Sequence, residues 1–187
     1  MSGQSAAWLA SSVLPPLGAL RTAPATARGH VRGTLAMWRL TELSDTVELV
    51  VSELAANAVN ASVSPDGRPA HLDGRIPVIR VRLLVDTTVL VAEVWDQVGG
   101  VPARKIAGDA DESGRGLHLV HELTNARWGW YHSPSGPGKC VWAEFPIPGP
   151  SRPTANPRGK DSTDERHAKR HGSRPPVADF RPPATRA

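Results

Sequence analysis

Residues 44–62, SDTVELVVSELAANAVNAS, spell a helix with two unlike stripes. Val47, Val50, Val51, Leu54 and Ala58 recur at three- and four-residue spacings, which predicts a core-facing helix. Ser44 or Asp45 is placed to cap its start, with Glu48 three residues beyond Asp45. Pro65-Asp66-Gly67 breaks the pattern after Ser62. Glu53, Asn57 and Asn60 interrupt the apolar set at spacings of four and three and so share one line along the helix. Such a line is either a solvated face or a ligand-facing one. Ala55, Ala56, Ala58 and Ala61 around it leave room for a ligand.

The flanking segments predict the rest of the architecture. Upstream, ARGHVRGTLAMWRL (27–40) puts Val31, Leu35, Trp38 and Leu40 at helical spacing. Residues 1–25 carry no charge before Arg21 and include VLPPLGALRTAP, an extended lead-in with room for one edge strand. Downstream, in VIRVRLLVD (78–86), Ile79, Val81, Leu83 and Val85 alternate with Arg80 and Arg82, the pattern of a half-buried strand. TVLVAEVWD (88–96) follows a short Asp86-Thr87 turn, which predicts a hairpin. GRGLHLVHEL (114–123) returns to helix, and ARWGWYHS and KCVWAEFPI are two more strands around the loop SPSGPG. Strands that pair locally, with helices between them, predict an α+β two-layer sandwich.

Composition bounds the class. The 187 residues carry a net charge of +4, and the charge is unevenly placed. Residues 1–150 hold 13 basic and 14 acidic side chains, whereas residues 151–187 hold 9 and 4. The alkaline balance therefore belongs to a tail with six prolines and neither Leu nor Ile. Such a tail buries too little apolar surface to order itself and is expected to be disordered. Binding of nucleic acid by this tail is the weakest of the functional readings. The expected organisation is a flexible stretch 1–13, a domain over 14–149 and a basic Pro-rich tail over 150–187. One cysteine, Cys140, excludes an internal disulfide framework. No run of 18 apolar residues predicts a membrane span, and Pro15-Pro16 interrupts any secretory signal. A cytoplasmic protein is expected.

Two further features carry chemistry. Asp96 ends a strongly apolar strand just before Gly99-Gly100, where a carboxylate is either a turn former or an acceptor for a ligand amine. Gly114-Arg115-Gly116-Leu117 opens a helix, whose free N–H groups and dipole suit a phosphate. Other features read as decoys. GPGKC (136–140) has Ser133 where a phosphate-binding loop needs its first glycine, and a strand follows it. His118 and His121 lack a completing metal ligand, and Cys140 reads as a small core residue.

In this order the motifs resemble the histidine-kinase-like ATPase domain, in the branch containing anti-sigma-factor serine kinases. SELAANAVNAS (52–62) is similar to that family's asparagine box, VWDQVGGVP (94–102) to its adenine-contacting box and ESGRGLHLVHEL (112–123) to its second glycine box. RWGWYHS and GKCVWAEF are similar to its closing strands, and LPPLGALRTAP and AMWRL to its opening segments; the likeness spans roughly residues 14–146. It implies a Bergerat-type sandwich, with a mixed, mostly antiparallel sheet and helices on one face. It also implies that Asn57 holds Mg²⁺ against the ATP phosphates and that Glu53 is the general base. The same likeness implies that Asp96 accepts from the adenine amine and that Gly99, Gly114, Arg115, Gly116 and Leu117 belong to the nucleotide-binding loops. The implied partners are a sigma factor or an anti-sigma antagonist phosphorylated on serine, with a homodimer as one assembly. A non-catalytic module that acts by sequestration is the alternative. Val98 and Ala61 depart from the family pattern, which often has Gly and His there.

Overall fold

The computed structural model describes residues 8–64, 71, 72, 74–98, 100, 102, 115–133 and 138–149. The chain divides into units Met1–Gly149 and Pro150–Ala187, and all described residues lie in the first. The expected disordered tail lies outside them. Among the described residues, six strands and three α-helices follow in order: β1 (Ala10–Val13), β2 (Leu17–Gly18), α1 (Ala23–Met37), α2 (Ser44–Ala61), β3 (Val78–Val85), β4 (Val89–Asp96), α3 (Arg115–Leu123), β5 (Trp128–His132) and β6 (Lys139–Pro146). The sheet runs β1-β3-β4-β6-β5, and β2 also pairs with β3. Every pairing between these strands is antiparallel. The fold is thus the α+β arrangement read from the sequence.

β1 and β2 lie end to end along one edge of β3, opposite residues 82–85 and 78–79. Pro15-Pro16 separates them because proline supplies no ladder donor. The domain therefore begins ahead of residue 14. The amide of Leu9 donates to Val85 O and that of Leu14 to Val81 O, so this edge is held by backbone bonds.

α1 starts four residues before the expected boundary, because Pro24 sits in the first turn with its φ already helical. It ends at Met37, where Arg39 adopts φ 59° and the amides of Arg39 and Leu40 close onto Ala36 O and Leu35 O. A single 3₁₀ turn, Thr41–Leu43, leads into α2. The capping arrangement expected around Asp45 and Glu48 does not form. Leu43 occupies the cap position without a side-chain bond, and Glu48 accepts two bonds from Arg32 of α1, at 3.0 and 2.6 Å. Glu48 thus ties two helices together and leaves the end of its own helix uncapped.

α2 lies between α1 and α3 and packs on β3, β4 and β6. Val47, Val50, Val51, Leu54 and Ala58 meet Ile79, Val81, Leu83, Leu90, Ala92, Val94, Val141 and Phe145 in one core. Strand alternation assigns those sheet residues to the helix-covered side.

The opposite side of the sheet departs from expectation. Arg82, read as part of a solvated face, is buried. Its Nε donates to Glu93 Oε2 at 2.6 Å, and its guanidinium lies 4.8 Å from the centre of the Trp95 ring. The Tyr131 hydroxyl donates to Glu93 Oε1 at 3.4 Å. Burial pushes the Glu93 carboxyl above its ordinary value, with Arg82 and then Tyr131 pulling it back in part. Gly129 admits the Trp142 ring, whose Cζ2 would stand 2.7 Å from a β-carbon there. Cys140 is fully buried in this layer, and burial raises its thiol well above the usual range.

A smaller polar contact joins β1 to α1. Ser12 Oγ lies 3.2 Å from His30 Nε2 and 3.1 Å from Thr34 Oγ1. Burial lowers the His30 pKa below 6.5. A histidine with a lowered folded value contributes its full stability above pH 6.5 and loses it as pH falls toward that value. The stability difference between wild type and His30→Gln, from urea unfolding at several pH values, is expected to shift against wild type below that pH and then level off.

Candidate functional site

Glu53 and Asn57 stand one turn apart on α2, facing the first turn of α3. Gly116 makes that approach possible. A β-carbon at 116 would lie 2.6 Å from Glu53 Oε2, 3.3 Å from Asn57 Nδ2 and 3.5 Å from Asn57 Oδ1. The glycine is thus needed for space. Asn57 Nδ2 is shielded from solvent, with no hydrogen-bond partner among the described residues. An orphaned buried N–H donor costs about 1–3 kcal/mol, so Asn57 Nδ2 is poised to meet an acceptor beyond the described residues. The free N–H groups of the α3 N-terminus lie at the same junction and suit an anion. The amide offers a neutral oxygen, the donor type that hard cations take.

Asp96 ends β4 on the helix-covered side, directly opposite Lys139 of β6. Lys139 Nζ lies 2.8 Å from Asp96 Oδ2 and 3.1 Å from Oδ1, and it also donates to Val98 O at 3.1 Å. The Val98 amide donates to Asp96 Oδ1 at 3.0 Å. Both charged side chains are buried. Burial pushes the Asp96 carboxyl above its ordinary value, and Lys139 and the Val98 amide offset part of that rise. Gly138, at φ 116°, has no room for a side chain: a β-carbon there would lie 2.0 Å from Asp96 O.

The structure therefore brings Glu53, Asn57 and Gly116 together. Asn60, in the same helical line, is exposed beyond the junction. Leu117 turns its side chain into the core, so only its backbone is available to a ligand. Arg115 opens α3, while its side chain, Gly99 and Gly114 lie outside the described residues. The sequence reading puts Gly138 and Lys139 at the start of a closing strand and assigns them no part in the site. The available signal was register: a lone cation at the start of the closing strand falls opposite the aspartate that ends its neighbour. Trp128 Nε1 donates a hydrogen bond to His121 Nδ1 at 3.2 Å, which gives this histidine a structural partner.

The family model of the histidine kinase-like ATPase domain matches residues 19–145. The chain belongs to that family. The match takes in Glu53, Asn57, Asp96, Gly116 and Lys139, and membership makes this an ATP-binding domain. No curated protein matches the chain. Within this histidine kinase-like ATPase domain, the described residues contain no helix long and apolar enough to cross a membrane.

Proposed function

We propose that this ATP-binding domain is a regulatory serine/threonine kinase of the anti-sigma type, acting in the cytoplasm on an antagonist protein of a sigma factor. The observation that carries the reading is the junction at Gly116, where a carboxylate and an asparagine whose Nδ2 lacks a partner among the described residues meet the first turn of α3, an arrangement suited to phosphate oxygens. Asn57 would hold Mg²⁺ through its side-chain oxygen, and the bound ion would neutralise charge on the phosphates. The first turn of α3 presents its amides to the same phosphates. Glu53 accepts the proton of the incoming serine hydroxyl. The serine oxygen then bonds to the γ-phosphorus as the bond to the β–γ bridging oxygen breaks, and ADP leaves. Asp96 accepts from the exocyclic amine of adenine. Positioning and charge stabilisation supply most of such a catalyst's power.

The test is transfer of label from γ-labelled ATP to a serine of the candidate antagonist, with Mg²⁺ present. Tight ATP binding without any transfer would instead leave a sequestering module. Gly116→Ala gives a sharper check. The added methyl meets the far end of a flexible side chain, so Glu53 swings aside while the fold survives. Transfer is expected to fall at least about tenfold, since a misplaced base loses its geometry. The melting temperature should stay near that of wild type.

A further inference from the structure

We infer that Lys139 is the positioning residue for base recognition: it holds Asp96 as a fixed, ionised acceptor and thereby sets the domain's preference for a six-amino purine. This rests on the nucleotide-site reading of Asp96 given above. The segment GPGKC, which fails as a phosphate-binding loop, supplies both parts of the device.

Hydrogen-bond accounting supports the inference. The ammonium has three acceptors within reach: it donates to Asp96 Oδ1 and Val98 O, both at 3.1 Å, and pairs with Asp96 Oδ2 at 2.8 Å. Lys139 thus keeps no hydrogen free to donate to a base. Oδ1 already accepts from the Val98 amide and from Lys139. Among the described residues, Oδ2 meets Lys139 alone and so retains one acceptor position. The carboxylate can therefore receive one further N–H, such as an exocyclic amine. A six-carbonyl base would bring an oxygen lone pair against a carboxylate oxygen, which is repulsive.

Gly138 makes the grip close. With no β-carbon it lets β6 run against the Asp96 carbonyl, and it seats Lys139 directly across from Asp96. Without the ammonium the buried carboxylate would keep, among the described residues, only the Val98 amide to fix it. It would then rotate or take up a proton, and a protonated carboxyl donates as readily as it accepts.

The experiment compares Mg²⁺-supported binding of ATP and inosine triphosphate by calorimetry, using the full chain. Inosine triphosphate keeps the phosphates and sugar but carries a carbonyl in place of the amine. Wild type is expected to prefer ATP. Lys139→Met should lower ATP affinity about tenfold, the weight of one charge-assisted hydrogen bond, and lower inosine triphosphate affinity far less. Lys139→Arg should keep much of the preference. Lys139→Gln, which bonds without charge, is read in the same way should the methionine variant fail to fold by circular dichroism. An unchanged ATP-to-inosine ratio in the uncharged variants, or equal losses for both nucleotides, overturns the inference. Asp96→Asn separates the two claims. A collapsed ratio there with an unchanged ratio in Lys139→Met removes the lysine's role alone. No effect of Asp96→Asn removes the reading of Asp96 and this inference with it.

Discussion

Glu53→Gln is expected to reduce serine phosphotransfer by about 10²- to 10⁴-fold, the range that a positioned general base contributes. Glutamine keeps the length and most of the volume of the side chain, so the α2–α3 junction is expected to stay closed around Gly116. The lost property is the capacity to accept a proton. ATP binding should persist, because the groups assigned to the phosphates and the base are untouched. Asn57→Ala makes the contrast: it removes the amide whose Nδ2 is shielded and unpaired among the described residues. That variant should weaken Mg²⁺-dependent ATP binding itself. Label transfer and calorimetry on both variants separate the two roles. Wild-type transfer by Glu53→Gln would remove Glu53 as the base.

Arg82→Met is expected to be the most destabilising single change on the side of the sheet opposite the helices, by about 3–5 kcal/mol. Arg82 and Glu93 keep only 10% and 4% of their side-chain surface exposed, so removing the cation strands a buried carboxylate. The variant also loses the stacking of the guanidinium on Trp95. Burial already raises the Glu93 carboxyl, and without Arg82 it acts with less opposition. A carboxyl whose folded pKa lies above its unfolded value loses stability as pH rises through the folded value. The deficit of Arg82→Met should therefore shrink on acidification. Adding Glu93→Leu should recover most of the loss at neutral pH, because an apolar pair of similar volume needs no counter-ion. Urea midpoints for the three proteins across pH test each step. A deficit that grows in acid would show that the stranded charge is not its cause.

These two predictions differ in how far the sequence anticipated them. Glu53 and Asn57 were legible because helical periodicity is local: a spacing of four fixes a shared face whatever the helix packs against. The β3–β4 hairpin was legible for a similar reason, through the alternation over residues 79–83 and a short turn at Asp86. The ion pair of Arg82 was not. Alternation tells which side of the strand a residue faces, and it cannot tell whether that side meets water or Glu93, Trp95 and Tyr131. Glu48 shows the same limit on α2. Its position three beyond Asp45 satisfied a local capping rule, and Arg32 of α1 won the carboxylate through a tertiary contact.

By itself, then, the sequence determined the α+β class, the helix that carries Glu53 and Asn57, and the glycine-led helix that meets it. All three follow from interactions within a few residues of chain, where covalent geometry sets the spacing. Tertiary structure alone decided that Gly116 opens room beside Glu53, that Lys139 grips Asp96 and that Arg82 is buried. Each of these depends on two segments far apart in sequence arriving at one place, and burial then turns that meeting into a large electrostatic effect.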